Sequence, residues 1–298
     1  MSPPGYVSLP YKYRLMDKSV RYMLIAGLSF AIMNIFVKQV SHLPTMEVVF
    51  FRAVFSFFAT WLILRKLRIP VLGNHKKLLF YRGAAGCLGL IGSYYTLQHI
   101  PLASAVTLNY LSPLFTAVMG IFLVRQKLRP LQFLFFGLAL AGVVLIRGFD
   151  PRVSLFDVAV GLGAAFFAGL AYNIIAMLKT TEHPLVIMFY FPMITLPVTG
   201  IYCLFHWEMP QGTDWLYLLF IGIMTQIAQY YMTRSYQTAN LARVSILNYL
   251  GVVYALLAGY FLFDETYNML SLLGIGVIIG AVLLNIFSAN MSRRPPHP

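Results

Sequence analysis

Amide side chains recur inside apolar stretches of this sequence, in two copies that lie 139 positions apart. Asn34 in the first copy has its counterpart in Asn173. Hydrocarbon offers an amide no hydrogen-bond partner, so each side chain must face the interior of the protein. There it either binds a polar solute from both sides of a pseudo-symmetry axis or hydrogen-bonds between helices, and both interpretations stand.

A second repeated motif places an asparagine directly before a tyrosine. Together, the amide and the phenol supply donors, acceptors and an aromatic face, which suit a small polar metabolite. Interhelical hydrogen bonding is the alternative, although the presence of the same residues in both copies favours a cavity. The motif comprises Asn109, Tyr110, Asn248 and Tyr249.

Two further apolar segments carry more polar and aromatic side chains than contact with lipid tolerates. One of them also has a glycine at every third position from Gly83 to Gly92, which permits close helix packing or leaves space beside a cavity. Close packing is the favoured interpretation of these glycines. The residues predicted to line a cavity in the two segments are Tyr94, Gln98, Gln226 and Tyr230.

Arg52 is the most costly residue of the apolar segments, because it lies about one and a half turns inside its predicted helix. Burying a guanidinium at membrane depth costs at least about 2–3 kcal/mol on insertion scales, so the charge needs a partner. Glu47 is five residues away and does not share its helix face. Arg52 therefore binds a carboxylate or phosphate of a substrate, forms a structural ion pair, or snorkels toward the outer interface.

The acidic residues all lie in loops or at the predicted ends of helices. This distribution argues against a proton-coupled exporter of cations, which needs a carboxylate near the bilayer centre. The sequence shows neither a cluster of nucleophile, histidine and acid nor metal-ligand spacing, so we predict no enzyme activity, no cofactor and no metal. The nine acids are Asp17, Glu47, Asp150, Asp157, Glu182, Glu208, Asp214, Asp264 and Glu265.

The composition predicts an integral membrane protein. Only 10% of the 298 residues are charged and 59% are hydrophobic, whereas soluble domains average about 25% charged residues. The net charge of +13 resides in short loops, which favours positive-inside topology over nucleic-acid binding. Ten apolar segments are long enough to cross a bilayer as helices. They span about 20–40, 47–64, 78–98, 104–124, 131–147, 158–178, 185–205, 214–234, 243–263 and 269–288.

The lysines and arginines set the orientation, because such residues concentrate on the cytoplasmic side of a membrane. With both termini in the cytoplasm, nearly all of the 22 basic residues fall inside, and Arg82 counts among them at the edge of the second loop. The exceptions are Lys38, Arg52, Arg147 and Arg152.

One gap-free shift relates residues 20–147 to residues 159–286, which predicts two repeats of five helices. An odd number of helices places the second copy in the opposite orientation. The loop charges agree, because the basic loop Arg125–Lys127 corresponds to the acidic loop Asp264–Thr266. We therefore predict an all-α fold of ten transmembrane helices in two inverted-topology repeats. The predicted boundaries are a cytoplasmic tail at 1–19, repeats at 20–147 and 159–288, and a second cytoplasmic tail at 289–298.

The sequence resembles the drug/metabolite transporter superfamily, of the EamA-domain type, over essentially residues 20–288. The resemblance rests on ten short-looped helices in a five-plus-five repeat. It also rests on Arg52 in the second helix and on the pattern Asn109-Tyr-Leu-Ser-Pro113-Leu-Phe in the fourth. A third pattern is Asp264-Glu265, which is similar to the family's Gly-Glu helix end. The resemblance implies alternating access across a central cavity, with the fifth and tenth helices peripheral.

The sequence departs from the family pattern at three positions. Gln126 stands where the family often has Glu, Val252 replaces the second-half proline, and Phe191 lies opposite Arg52 in the repeat. A role of the family's glutamate is therefore not transferred to the first half. Candidate kinks or hinges are Pro113, Pro192 and Pro197.

The favoured function is a secondary transporter that moves a small polar or aromatic metabolite by alternating access, through facilitation or exchange. Arg52 and the basic inner rim favour amino acids or organic anions. The alternatives are a proton-coupled drug or metabolite exporter, a lipid-handling flippase, an integral membrane enzyme and a structural scaffold. We predict a multi-pass protein of the cell (inner) membrane, monomeric or homodimeric, whose partners are a small-molecule substrate and the lipid bilayer and not nucleic acid.

Overall fold

The computed structural model describes residues 11–123, 130–178, 180–238 and 250–291. These residues form eleven α-helices and contain no β-strand. The all-helical part of the prediction is therefore confirmed for the described chain. The helices are α1 (Tyr11–Gln39), α2 (Thr45–Lys66), α3 (Lys76–His99), α4 (Leu102–Asn109), α5 (Ser112–Leu123), α6 (Pro130–Phe149), α7 (Leu155–Leu178), α8 (Pro184–Phe205), α9 (Asp214–Thr238), α10 (Leu250–Phe263) and α11 (Met269–Met291).

Apolar helices coincide with the predicted membrane segments, although the ten crossings themselves stay a prediction. Five stretches of the described chain are long and apolar enough to cross a membrane, and three shorter apolar helices accompany them. Helices α3 and α9 fall outside both groups because they carry many polar side chains. The five long stretches are Val20–Gln39, Thr45–Lys66, Leu102–Leu123, Leu155–Leu178 and Pro184–Phe205.

The predicted fourth segment is broken into α4 and α5. The sequence predicts one helix over 104–124, but α4 ends at Asn109 and α5 begins at Ser112. Pro113 explains the break, because proline lacks an N–H and its ring clashes with the carbonyl group four residues earlier. Pro192 and Pro197 have no such effect, since α8 continues through both of them.

The helices of the first half pack mainly against helices of the second half. Helix α1 packs on α9, and its counterpart in the repeat, α7, packs on α3. Helix α2 packs on α8, and α6 packs on α11. Glycines permit the closest approaches. A Cβ atom on Gly83 would collide with Ile194, and a Cβ on Gly222 would lie 2.7 Å from Phe55 Cγ. These two contacts involve equivalent pairs of residues, which matches the internal repeat of the sequence.

Carboxylates from the second half bind backbone N–H groups at the starts of two helices in the first half. Glu182 Oε1 accepts hydrogen bonds from the backbone N–H groups of Asn74 (2.7 Å) and His75 (2.6 Å), immediately before α3. Both carboxylate oxygens of Glu265 accept from Leu102 N, at 3.1 and 2.9 Å, at the start of α4. A negative charge is stabilising at a helix N-terminus, because it meets free N–H groups and the positive end of the dipole.

Glu265 is the centre of a polar cluster that joins the α10–α11 loop to α1 and α4. Lys38 Nζ lies 3.1 Å from Glu265 Oε1 and also donates to the carbonyl oxygen of Ile100 at 2.6 Å. The Tyr267 hydroxyl donates to Glu265 Oε2 at 2.6 Å. Burial, followed by the hydrogen bond to Glu265, raises the pKa of Tyr267, so its phenol stays protonated and remains a donor.

Candidate functional site

Two arginines, Arg52 of α2 and Arg82 of α3, lie over one aromatic ring of α8. The guanidinium carbon of Arg52 is 5.4 Å from the centre of the Phe191 ring, and that of Arg82 is 5.2 Å from the same centre. Arg52 also lies 5.2 Å from the centre of the Tyr94 ring. Such cation–π contacts offset part of the cost of removing a guanidinium from water. We call Arg52, Arg82 and Phe191 the arginine site.

Both arginines are buried far from the helix ends. Arg52 is 3% exposed and Arg82 is 7% exposed. Arg52 lies roughly 10 Å along α2 from its first residue, and Arg82 roughly 9 Å along α3, at the 1.5 Å rise of an α-helix. Neither position is a helix end from which a long side chain reaches the membrane interface. The enclosure of the Arg52 side chain by protein disfavours snorkelling as its role.

The two guanidinium groups have no carboxylate partner among the residues that the structure describes. The ion pairs of those residues involve Lys38, His42 and Arg152. Seven buried side-chain atoms of the described chain lack a hydrogen-bond partner, and four of them are Nε and Nη1 of the two arginines. The unpaired donors thus concentrate at the arginine site, where they can receive an anion.

Hydroxyl and amide groups complete the lining of a small cavity beside the arginines. Its volume is about 20 Å³, which is enough for one water molecule and too little for a metabolite. Gln226 Nε2 donates to Thr60 Oγ1 at 3.0 Å, which leaves the threonine hydroxyl hydrogen free to donate. A solute can enter only if the surrounding helices separate. The polar groups that line the cavity besides the arginines are Ser56, Thr60, Thr225, Gln226 and Gln229.

Gly86 makes room for Arg82. A Cβ atom at position 86 would lie 2.8 Å from Arg82 Nη1 and 2.7 Å from Phe191 Cδ2. The arginine side chain therefore lies along its own helix, one turn away, against the face that glycine leaves open. This contact explains one member of the glycine series of α3, while Gly89 and Gly92 pack closely on α7.

Four of the predicted site residues belong to α3 and α9, and the structure separates them. Tyr94 is fully buried next to Arg52, and Gln226 lines the cavity. Gln98 lies elsewhere: its Nε2 donates to the carbonyl oxygens of Val40 (3.1 Å) and Leu43 (3.2 Å) and so holds the α1–α2 loop. Tyr230 does not line the cavity either, and its side chain is 40% exposed.

The repeated asparagines also differ in their surroundings. Asn173 is buried, and its Nδ2 donates to the carbonyl oxygens of Thr116 in α5 (3.0 Å) and Gly169 in α7 (3.1 Å). Asn34 is half-buried on α1. These contacts favour the interhelical interpretation for Asn173.

The asparagine–tyrosine motif is described in its first copy alone. Asn109 Oδ1 accepts from the Ser93 hydroxyl at 2.8 Å, and the Tyr110 ring packs against Gly251 of α10. Neither side chain lines the cavity of the arginine site. The second copy, Asn248 and Tyr249, lies outside the described residues.

Replacing Asn173 with alanine should lower stability without changing solute affinity. The substitution removes one hydrogen bond between helices, and such bonds in membrane proteins contribute about 0.6 kcal/mol on average and about 1.7 kcal/mol at most. We expect a small drop in the melting temperature in detergent and an unchanged KM for any solute that the protein exchanges. Asn34→Ala, at the equivalent position, is the matched control. A raised KM at unchanged melting temperature would instead assign Asn173 to the binding site.

Sequence reasoning missed Arg82, which it counted as part of the cytoplasmic rim. The neighbouring glycines, Gly83 and Gly86, could have indicated that Arg82 is buried. They form a helix surface that packs closely on another helix, which a solvated loop would not need. Its repeat counterpart is the fully buried Ile221, and that of Arg52 is Phe191. Both cations of the site are therefore absent from the equivalent positions of the second copy.

A larger cavity, of about 460 Å³, opens at the end of the same three helices. It lies between the α1–α2 loop, the C-terminal part of α3 and the end of α8. The lining includes polar and aromatic groups that can hold water or a solute. Among these are His42, Thr45, Tyr95, His99, Tyr202 and Glu208.

A family model described as the EamA-like transporter family matches this chain twice, over residues 18–148 and 155–287. The chain therefore belongs to the EamA-like transporter family, which confirms the resemblance to the drug/metabolite transporter superfamily. Its relatives include the Pseudopaline exporter CntI of Pseudomonas aeruginosa, at 28% identity over 268 residues that cover 89% of this chain and 94% of the relative.

Further comparisons extend the similarity to eukaryotes and to a solved structure. Solute carrier family 35 member G1 of Homo sapiens is 27% identical over 267 residues, which cover 82% of this chain and 72% of that protein. A crystal structure superposes with a TM-score of 0.63 over 93% of this chain and 99% of the other, at 16% identity. At that identity the likeness concerns the fold alone. Membership of this family and the apolar helices identify a multi-pass membrane protein.

Proposed function

We propose that this protein is a secondary transporter that carries a small organic anion, such as an acidic metabolite or an amino acid, by alternating access. The observation that carries the proposal is the pair of buried arginines, whose Nε and Nη1 atoms lack hydrogen-bond partners among the described residues. An unpaired guanidinium in an apolar region is costly, and intramembrane charges therefore mark substrate paths. An anionic solute offsets that cost while it is bound.

The packing of the two halves supports a transport cycle. Helices α2 and α3 carry the arginines, and α8 of the other half carries the ring on which both lie. Relative motion of the halves would open the cavity toward one side and then the other, as in transporters built from inverted repeats. The predicted ten crossings, the inverted orientation and the cytoplasmic termini belong to the same proposal.

The larger cavity supports a path to the site. It opens at the end of the bundle where α2 begins and α3 and α8 end. A solute that enters there meets histidine and tyrosine side chains first and the arginines deeper in the protein. The small volume at the arginines then corresponds to a closed state, from which the helices must separate to admit the solute.

The relatives whose names state a role are consistent with this proposal. One is named an exporter and another a solute carrier. Facilitation or exchange is favoured over proton antiport, because the acids of the sequence lie at helix ends or in loops rather than near the bilayer centre.

The proposal predicts exchange of organic anions by purified protein in liposomes. Vesicles would be loaded with an unlabelled solute, and counterflow of the same radiolabelled solute would be measured for organic acids, amino acids, nucleosides and vitamins. We expect uptake for at least one organic anion and none in vesicles without protein. If folded protein exchanges only neutral or cationic solutes, the anion assignment is wrong. If it exchanges none, the transport assignment falls as well.

A further inference from the structure

We propose that the arginine site selects a solute with two anionic groups, and that Arg82 is the residue that recognises the second one. This inference rests on the proposed transport function and adds to it the chemical class of the solute. It starts from the fact that the site holds two guanidinium groups rather than one. Transport of an organic anion in general would require only one of them.

The two guanidinium groups share a site. Both lie over the ring of Phe191, so their carbons are separated by no more than the sum of 5.4 and 5.2 Å. Two like charges this close repel each other in an apolar region, where the local dielectric constant is low. A solute with a single carboxylate neutralises one charge and leaves the other unpaired. A solute with two anionic groups neutralises both.

The unpaired donors also come in two sets. Arg52 and Arg82 each present Nε and Nη1 without a partner among the described residues. One carboxylate has two oxygen atoms and fits the donors of one guanidinium best. Nε–H and the Nη1 hydrogens of one guanidinium do not lie side by side, so a single carboxylate cannot accept from all four nitrogen atoms. Two separate anionic groups, one at each arginine, leave fewer of these donors unpaired.

Neutral groups of the site suit the remainder of such a solute. The Thr225 hydroxyl donates to Met33 Sδ at 3.0 Å, but Ser56 and Thr60 offer hydroxyls, and Gln226 and Gln229 offer amides. These side chains can donate to the outer carboxylate oxygens or bind a hydroxyl on the connecting carbons. The described residues that line the cavity include no carboxylate side chain, so none of them repels a second negative charge.

The test compares solutes that differ by one charge at nearly constant shape. Counterflow would be measured in proteoliposomes for succinate against its monoamide succinamate, and for glutarate against glutaramate. Glycerol 3-phosphate serves as a dianion whose charge comes from a phosphate ester. We expect the wild-type protein to favour at least one dianion over its monoanionic partner by at least about tenfold. Because both charges of glycerol 3-phosphate lie on one group, exchange of this solute without any dicarboxylate exchange would contradict the requirement for two separate anionic groups.

Substitution of Arg82 separates recognition from folding. Arg82→Gln should remove the preference by lowering dianion exchange about tenfold or more while monoanion exchange persists. Arg82→Lys keeps the charge and should restore part of the preference. A residue with a merely structural role would lower exchange of both solutes together. If Arg82→Gln fails to fold, binding to the wild-type protein, measured as the melting-temperature shift by each solute of a pair, still decides the inference.

The outcomes distinguish this inference from the function on which it rests. If wild-type protein exchanges both members of each pair equally, or if Arg82→Gln keeps the dianion preference, the selection of two charges is wrong and anion transport stands. If no anion is exchanged but another solute class is, the inference and the anion assignment both fall. If no solute of any class is exchanged by folded protein, the transport function falls with them.

Discussion

Replacing Arg52 with methionine should make the protein more stable and stop transport of organic anions. Methionine fills a similar space without a charge, so it removes the desolvation cost of the guanidinium, which is on the order of several kcal/mol for a buried ion. Exchange should fall at least about 100-fold, because truncating one partner of a buried charge pair costs about 2–5 kcal/mol. Counterflow and the melting temperature in detergent, measured on the same preparations, check the two effects.

Arg65→Met is the matched control for Arg52→Met. Arg65 lies on the same helix, and its guanidinium is 5.0 Å from the centre of the Trp61 ring, but the residue is exposed. We expect little change in either measurement. A lower melting temperature for Arg52→Met would show that Arg52 stabilises the fold through a partner. If Arg52→Met exchanges organic anions at the wild-type rate, Arg52 is not part of the binding site.

Replacing Glu265 with glutamine should destabilise the protein by about 3 kcal/mol or more. The substitution leaves the ammonium group of Lys38 without its carboxylate and weakens the cap on α4. Breaking a buried pair by removing one partner typically costs about 3–5 kcal/mol. The effect should appear as a large drop in the melting temperature and should be measured in detergent, in the absence of solute.

A double-mutant cycle isolates the ion pair. Lys38→Met combined with Glu265→Gln removes both charges, so the double variant should recover part of the stability that Glu265→Gln loses. Asp264→Asn, at the exposed neighbour, is the control and should have almost no effect. If the two single substitutions add without coupling, Lys38 and Glu265 do not stabilise each other.

The helices were predictable because a long run of apolar residues strongly indicates a membrane helix. Interruptions within a helix depend on particular residues. Pro113 breaks its segment into α4 and α5, while Pro192 and Pro197 leave α8 continuous. Proline frees the same backbone groups in each case, and the packing around them decides the outcome. Sequence reasoning identified all three prolines as candidate kinks and could not rank them.

The sequence predicted a site residue where burying its side chain in lipid would cost much free energy. Arg52 stood out because a charge deep in an apolar segment needs a partner. Gln98 and Gln226 looked alike in sequence, yet Gln98 binds loop carbonyl groups and Gln226 lines the cavity. The rotation of α3 and α9 determines this difference. A single sequence shows which side chains must face the protein interior rather than the lipid, but it does not show which residues each of them contacts.

Phe191 has a kinetic consequence for the proposed carrier. The ring belongs to α8, whereas the two cations above it belong to α2 and α3. Movement of one half past the other would withdraw the aromatic face from both charges in the same step. A loaded protein keeps its charges compensated during that step, but an unloaded one does not. The empty protein would therefore stay on the side where it last released its cargo, and each turnover would require a return cargo.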